Sequence, residues 1–326
     1  MRVPAAVRLA LAAIAEQRAR RSTRRVGIVL VYHRIAEASG SPALELSPAV
    51  GRSAFRREVA YLSRRYRIVA PSEIPASMAS RKPGERLPVA ITFDDDTRSH
   101  LDEAAPVLEA HRVVGGFYVG GWTLHGALPP WWESLQLAVD HARIPGGLLP
   151  ADQTAAALAR KPGAIRLLGA LVEGLEPDVL QVVRQELAAA TSDLARDQGL
   201  DERALRVLAA GHELGFHPPA HDRLQPLGDE QLAAALTAGR ADLERVIGKP
   251  LRSIAYPHGS ADARVADRAR AAGYELGFAG SNRAACATDD PLLLPRLDPW
   301  HTSLATFAAT LAAAALTRSP TAPPAP

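Results

Sequence analysis

Three adjacent carboxylates, Asp94, Asp95 and Asp96, follow an apolar run at 89–93, and two histidines, His217 and His221, stand four residues apart much later in the chain. Two imidazoles and a carboxylate can hold one divalent metal and leave a position open for water, which is a catalytic rather than a structural arrangement. Neither group decides the matter alone. Adjacent acids after a strand also cap helices, and Asp95 or Asp96 could cap the helix that follows. Two histidines four apart are also common on surface loops. Pro218 and Pro219 between them argue against a regular helix and stiffen the loop. It is the combination that points to a metal-activated water.

Such groups need elements that bring them to one place. Continuous apolar runs at 26–32 and 89–93 read as strands buried on both faces. Further strands are expected at 66–69, 115–119, 213–217, 253–256, 274–278 and 292–297. Helical spacing marks 52–65, 99–111, 229–246, 261–272 and 303–316, while 76–87 reads as a loop. Alternation of strand and helix implies parallel strands and an α/β fold. The expectation is a distorted (β/α)7-type barrel over 26–318, interrupted by a helical insertion at about 123–205. Catalytic groups of such barrels sit at the C-terminal ends of the strands. Asp94 and Asp95, His217, His33 after Tyr32, and Tyr256-Pro257 all fall there. Residues 319–326 hold four prolines in eight and read as a disordered tail.

Composition bounds the class. The 326 residues are 47% hydrophobic and 22% charged, ordinary values for a soluble globular enzyme. Net charge is +3, and the basic surplus is local: Arg18, Arg20, Arg21, Arg24 and Arg25 crowd one segment. No nucleic-acid-binding motif accompanies it, so nucleic acid is not an expected partner. A single cysteine, Cys286, excludes an intramolecular disulfide and a cysteine-based zinc site. That fits the cytoplasm, with export left open. Residues 1–25 read as a basic N-terminal helix, spanning 4–22, because Arg8 breaks the apolar core a signal peptide needs. Val7, Leu11 and Ile14 recur at helical spacing. They would pack on the domain or rest on an anionic membrane surface.

At these residues the sequence resembles the polysaccharide deacetylases, the family-four carbohydrate esterases. The Thr-Phe-Asp-Asp-Asp run at 92–96 is similar to their Thr-Phe-Asp-Asp-Gly signature. His217-Pro-Pro-Ala-His221-Asp-Arg-Leu224 resembles their His-Ser/Thr-x-x-His-x-x-Leu motif. The run at 253–259 resembles a Phe-Ala-Tyr-Pro-Tyr-Gly variant of their third motif. The strand ending in Tyr32-His33 is similar to the opening of one subgroup. The resemblance implies that Asp94 is the general base and that Asp95, His217 and His221 bind a metal, usually Zn2+. It implies that Tyr256 offers its backbone N–H to the oxyanion and that His33 is the general acid. The implied substrate is an N-acetylated carbohydrate, and the implied reaction is hydrolysis of its acetamide. Iron and cobalt suit the same three ligands.

Several positions depart from the pattern. Asp96 replaces a glycine and is read as capping the next helix. Pro218 replaces a hydroxyl residue. The third motif lacks its base-orienting arginine, which Arg296 could supply from another strand or spend in a surface ion pair. Asp298-Pro-Trp300 is a loose echo of a further motif. His258 and His301 are rival acids. Trp131 and Trp132 would stack on a sugar ring or anchor the insertion. Two other readings stay open: hydrolysis of another linear or cyclic amide, and a carbohydrate-binding barrel without catalysis.

Overall fold

Two strands are buried along their whole length because other elements cover both faces, and they begin the barrel. The computed structural model describes residues 3–126, 128–194, 199–298 and 303–317. Seven parallel strands form its centre. They are β1 (Val26–Tyr32), β2 (Pro88–Asp94), β3 (Gly116–Val119), β4 (Glu213–Phe216), β5 (Ser253–Ala255), β6 (Leu276–Gly280) and β7 (Leu294–Arg296). Each pairs with the next in that order. A parallel bridge between Leu30 and Leu297 returns β7 to β1. There Val31 N–H donates to Leu297 O at 3.0 Å, and Leu297 N–H donates to Val29 O at 2.8 Å. The ring is thus a (β/α)7-type barrel, as expected.

Strand residues alternate between two cores. Val29, Ala90, Tyr118, Ala255, Phe278 and Leu294 meet inside the barrel. Ile28, Leu30, Val89, Ile91, Phe93 and Phe117 face outward into the layer beneath the helices. Phe93 stacks on Phe117 with ring centroids 4.7 Å apart. The inner tyrosine needs room from β4: a Cβ on Gly215 would lie 2.2 Å from the Tyr118 ring. By the same period of two, Thr92 and Asp94 share the inward side of β2 with Ala90.

Thirteen helices surround the ring among the described residues. α1 (Ala5–Arg21) lies against α13 (Leu304–Leu316) through Ala12, Ala308 and Ala312. Arg8 Nη1 donates to Thr306 Oγ1 at 2.9 Å. Buried Glu16 accepts from Tyr66 Oη at 3.0 Å, from Arg65 Nε at 2.7 Å and from Tyr61 Oη. The packed face is therefore Ala12, Glu16 and Ala19, whereas the expected contacts Val7, Leu11 and Ile14 face outward. α2 (Arg52–Arg65) covers β1 and β2 with Phe55, Val59 and Leu62.

Several boundaries differ from expectation for local reasons. The strand at 66–69 shrinks to Arg67–Ile68, a short rung beside the start of β2. Part of the expected loop is α3 (Ile74–Ser80), opened by a proline in its first turn. The helix at 99–111 begins as a π turn at His100–Ala104 and continues as α4 (Ala105–Ala110). The insertion contains α5 (Trp131–Asp140), α6 (Ala151–Leu158), α7 (Ala164–Glu173) and α8 (Pro177–Ala190). These enclose a separate core around Trp131, Leu135, Leu168, Val172 and Leu187. α9 (Glu202–Gly211) belongs to the barrel, because Leu205 and Leu208 join the main core. The single helix expected at 229–246 is two, α10 (Asp229–Ala235) and α11 (Arg240–Ile247), divided at left-handed Gly239. α12 (Ala263–Ala271) precedes β6. The proline-rich tail at 319–326 lies outside the described residues.

Beneath α2, Tyr32 Oη donates to Glu58 Oε2 at 2.9 Å, with both residues buried. Burial pushes the Glu58 carboxyl up to about 7, only partly countered by the Tyr32 hydrogen bond. A raised folded-state pKa contributes stability below the unfolded value, and that contribution is lost as pH rises through about 7. Glu58→Gln removes this titration. Wild type should lose on the order of 2–3 kcal/mol more than the variant between pH 4 and pH 8, by denaturant unfolding. Equal losses in the two proteins would refute the account.

Candidate active site

The rim at the C-terminal ends of the strands gathers the chemistry. Asp94 is the last residue of β2 and Arg296 the last of β7. Arg296 Nη1 donates to Asp94 Oδ1 at 2.8 Å and Nη2 to Asp94 Oδ2 at 2.6 Å. Arg296 Nη1 also reaches Thr92 Oγ1 at 3.4 Å, and that hydroxyl donates to Leu30 O at 2.7 Å. Both charged groups are buried. Arg296 is thus no surface ion pair but a bidentate clamp on the carboxylate. Burial raises the Asp94 carboxyl, but Arg296 and then His217 outweigh it and hold it below the usual carboxylate range.

Asp95 follows in the left-handed region at φ 73°. Its turn aims the carboxylate at His217, which leaves the end of β4 with its N–H bonded to Val119 O at 3.0 Å. His221 closes the next turn, donating its N–H to Pro218 O at 3.0 Å, and stands at φ 56°. Asp95 Oδ1 lies 3.4 Å from His217 Nε2 and 3.5 Å from His221 Nε2. One ligand atom of each residue lies within 4.8 Å of the other two. His217 Nδ1 donates to Ala255 O at 2.9 Å, which leaves the Nε2 lone pair for a cation.

The donor set fits a divalent metal. Asp95 Oδ1 and His217 Nε2 are buried without a hydrogen-bond partner among the described residues. Such orphans are costly, and a shared cation removes the cost. Burial raises Asp95, but the facing His217 and His221 outweigh it and hold the carboxyl well below its ordinary range. Burial lowers His221, so it stays neutral. Burial also opposes charge on His217, yet Asp95 and Asp94 outweigh it and raise that imidazole. The carboxylates thus set a negative potential where a cation would sit.

Asp96 does something the sequence does not disclose. It caps no following helix. Its buried carboxylate accepts from Gly120 N at 3.0 and 3.1 Å, Gly121 N at 2.7 Å and Trp122 N at 3.3 Å. These N–H groups open a short 3₁₀ turn at Trp122–His125, beyond β3. Burial lifts Asp96 to about 6 against those bonds. Gly120 is needed at this spot, since a Cβ there would meet His217 O at 2.8 Å.

A cavity of about 740 Å³ opens above these groups, lined by Asp94, Asp95, His217, His221 and His33 among others. His33 follows β1 directly, and its carbonyl accepts from buried His100 Nε2 at 2.7 Å. His258 also lines the cavity, at φ 57°. Its two ring nitrogens face acceptors, Nδ1 at 3.2 Å from Glu173 Oε1 and Nε2 at 3.2 Å from His221 O, and a neutral ring donates to one of them. Burial and then His221 push His258 down to about 4. Trp132 lies against His221 at 4.3 Å between centroids, while Trp131 is buried in the insertion core. Trp131 thus anchors the insertion, and both tryptophans line the cavity. Asp298 lines the cavity, but Trp300 and His301 lie outside the described residues.

Tyr256 differs from expectation. Its N–H donates to Phe278 O at 3.1 Å, completing the β5–β6 pairing, so it is spent in the sheet rather than offered to the cavity. Its ring is fully buried. Glu173 was missed altogether. It sits at the end of α7 in the insertion, where nothing in its sequence surroundings marks it. Cys286 is half-buried and outside the cavity lining.

The family model for polysaccharide deacetylase matches residues 173–277, which include His217, His221 and the run at 253–259. Over that segment the chain is similar to the polysaccharide deacetylases. Solved structures agree with the family's barrel. The Streptococcus pyogenes deacetylase PplD, in complex with acetate, is 15% identical with a TM-score of 0.57 over 85% of this chain and 93% of its own. IcaB from Ammonifex degensii is 19% identical with a TM-score of 0.54 over 90% and 97%. A polysaccharide deacetylase from Bacillus cereus is 16% identical with a TM-score of 0.53 over 89% and 70%. At these identities the likeness concerns the fold. No curated protein matches the sequence.

Asp96 carries a checkable consequence. Asp96→Ala should leave three backbone N–H groups without their acceptor and free the turn that presents Asp95. Stability should fall by roughly 1–3 kcal/mol, and metal affinity by about tenfold or more, read by competition with a chromophoric chelator. Unchanged metal affinity would remove Asp96 from any role in shaping the site.

Proposed function

We propose that this chain is a metal-dependent hydrolase that removes the acetyl group from an N-acetylated sugar and releases acetate. The observation that carries this reading is the bidentate Arg296–Asp94 pair beside the unsatisfied Asp95–His217–His221 cluster. The family-model match over residues 173–277 supports a carbohydrate deacetylase. A sugar-binding barrel without catalysis has no use for an ionised, oriented carboxylate next to three converging ligand atoms.

Asp95, His217 and His221 would hold the metal, with Zn2+ the preferred ion for two imidazoles and a carboxylate. A divalent ion there supplies Lewis acidity toward the acetamide carbonyl and lowers the pKa of water. Asp94 takes the proton from the attacking water. Arg296 keeps that carboxylate ionised and turned toward the cavity. Ionisation comes at a cost in basicity, because a carboxyl held low is a weak base. The water must therefore be acidified, which is the metal's contribution.

Water oxygen bonds to the acetyl carbon, the C–N bond breaks, and the departing amine needs a proton. His33 supports that role better than His258. Its ring has no hydrogen-bond partner among the described residues and lines the cavity, whereas a neutral His258 has its one N–H directed at Glu173 or at His221 O. For the oxyanion, the His258 backbone N–H is the better donor than that of Tyr256. It has no hydrogen-bond partner among the described residues, and its residue lines the cavity.

The decisive experiment measures acetate release from N-acetylglucosamine oligomers and from lipid- or nucleotide-linked N-acetyl sugars, alongside elemental analysis. Asp95→Ala should lose the metal. Asp94→Asn should keep it and lose about 10²- to 10⁴-fold in kcat/KM. Metal content unaffected by Asp95→Ala, or full activity in Asp94→Asn, would sink the hydrolase reading. Intact metal with no acetate from any sugar would shift it to another amide. His33→Ala should lower kcat about 10²-fold or more while His258→Ala retains most of it, and the reverse pattern would exchange their roles.

A further inference from the structure

α1 carries its large apolar side chains on the wrong side for packing. Its buried face is Ala12, Glu16 and Ala19. Val3 just before it, and Val7, Leu11 and Ile14 within it, are 48%, 47%, 58% and 66% exposed. Their spacing of four, four and three residues sets them in one stripe on the side opposite α13. Single exposed apolar residues need no explanation, but an aligned row of four does.

The same stripe continues into charge. Arg18 and Arg21 follow Ile14 at spacings of four and three, and both are exposed. Arg25 is exposed just beyond the helix end. None of the three side chains has a hydrogen bond or ion pair among the described residues. Beside them a shallow groove of about 730 Å³ runs along Ala13, Ile14, Gln17, Arg18, Arg21 and Arg65. The helix's one acid, Glu16, faces inward and is taken by Tyr61, Arg65 and Tyr66. The outward face thus presents three turns of apolar side chains and then cations with no anion among them.

We infer that this face of α1 docks flat on an anionic lipid surface. The apolar row enters the headgroup–acyl boundary, and Arg18, Arg21 and Arg25 meet lipid phosphates. Charge selects this occupant over a second copy of the chain. A parallel pair of copies would bring arginine to arginine, and an antiparallel pair would set the arginines against Val3 and Val7. Either arrangement leaves cations without anions. No helix among the described residues is long and apolar enough to cross a membrane, so the contact is one of lying on the surface.

The test uses the full chain and sedimentation with extruded vesicles of phosphatidylcholine, with and without phosphatidylglycerol. The protein should co-sediment with the anionic vesicles only. Arg18→Gln with Arg21→Gln should weaken binding by about 25-fold at low salt, fivefold for each charge. Leu11→Ser with Ile14→Ser should weaken it at least about tenfold. Both pairs lie on exposed positions, so melting temperatures should not change, which separates lost binding from lost folding. Equal binding to neutral and anionic vesicles, or none to either, overturns the inference. So does a lipid-free dimer in sedimentation velocity that the serine pair dissolves, since a second copy would then cover the face.

Discussion

The pair between Asp94 and Arg296 crosses the seam at which the barrel closes. Asp94 ends β2, Arg296 ends β7, and β1 lies between them, joined to one by its ladder and to the other by the Leu30–Leu297 bridge. The closing strand therefore reaches over its neighbour and is held by a charge. Two buried ions are expensive to desolvate, and only good geometry repays the expense. Here the fork of the guanidinium meets both carboxylate oxygens, and Thr92 ties the same guanidinium to β1 through Leu30 O. Losing either partner leaves a bare buried charge, a change on the order of 3–5 kcal/mol. The pair is thus a constraint on the fold as well as on the Asp94 carboxylate. It also fixes which direction Asp94 can face, because both oxygens are already oriented.

Three of the seven non-glycine residues at positive φ among the described residues stand in the same place. Asp95, His221 and His258 are non-glycine residues at positive φ, a conformation that costs free energy and persists only where surroundings enforce it. Each has its enforcement. Asp95 is flanked by Asp94, clamped by Arg296, and by Asp96, held by three N–H groups of the turn after β3. His221 follows two prolines and is covered by Trp132. His258 follows Pro257 and is held through its ring on both sides. The barrel supplies rigid strand ends, and short bonded turns convert them into converging side chains.

What the sequence discloses and what it hides follow from the range of the contacts. The strands at 26–32 and 89–93 were legible because a buried parallel strand is apolar at every position. Asp94, Asp95 and His217 were legible because they end such strands, where the barrel places its chemistry. Arg296 was visible as a candidate, but only the closed ring shows it to be buried and bidentate. The partner of Asp96 was not legible. Its carboxylate bonds to backbone N–H groups, which leave no side-chain signature. Tyr256 misled because a motif names a residue without saying where its N–H goes, and here the β6 strand claims it. On α1 the 3.6-residue period was read correctly, and of its two readings the one that packs Val7, Leu11 and Ile14 on the domain fails. Alanines alone suffice to pack against the alanines of α13.

The insertion shows how two separate cores come to share one cavity. Its own core of Trp131, Leu135, Leu168 and Val172 draws Leu46, from the loop after β1, as a neighbour from outside the insertion. Yet α7 turns another face, with Arg166, Gly169 and Glu173, to the space above the ligand atoms. Gly169 lets this helix approach the loop after β1 closely, since a Cβ there would meet Leu46 at 2.5 Å. At the end of the same helix, Glu173 pairs with Arg223 at 2.7 Å as well as with His258. Trp132 completes the wall against His221. Asp94, Asp95 and His217 therefore rest on strand ends and His221 on the turn beyond one, while the upper wall of the cavity rests on helices with a core of their own. A change in how α7 packs on Leu46 would move Glu173, and with it His258, without disturbing the strands that carry Asp94 and Arg296. In this architecture the shape offered to a substrate can vary independently of the groups that react with it.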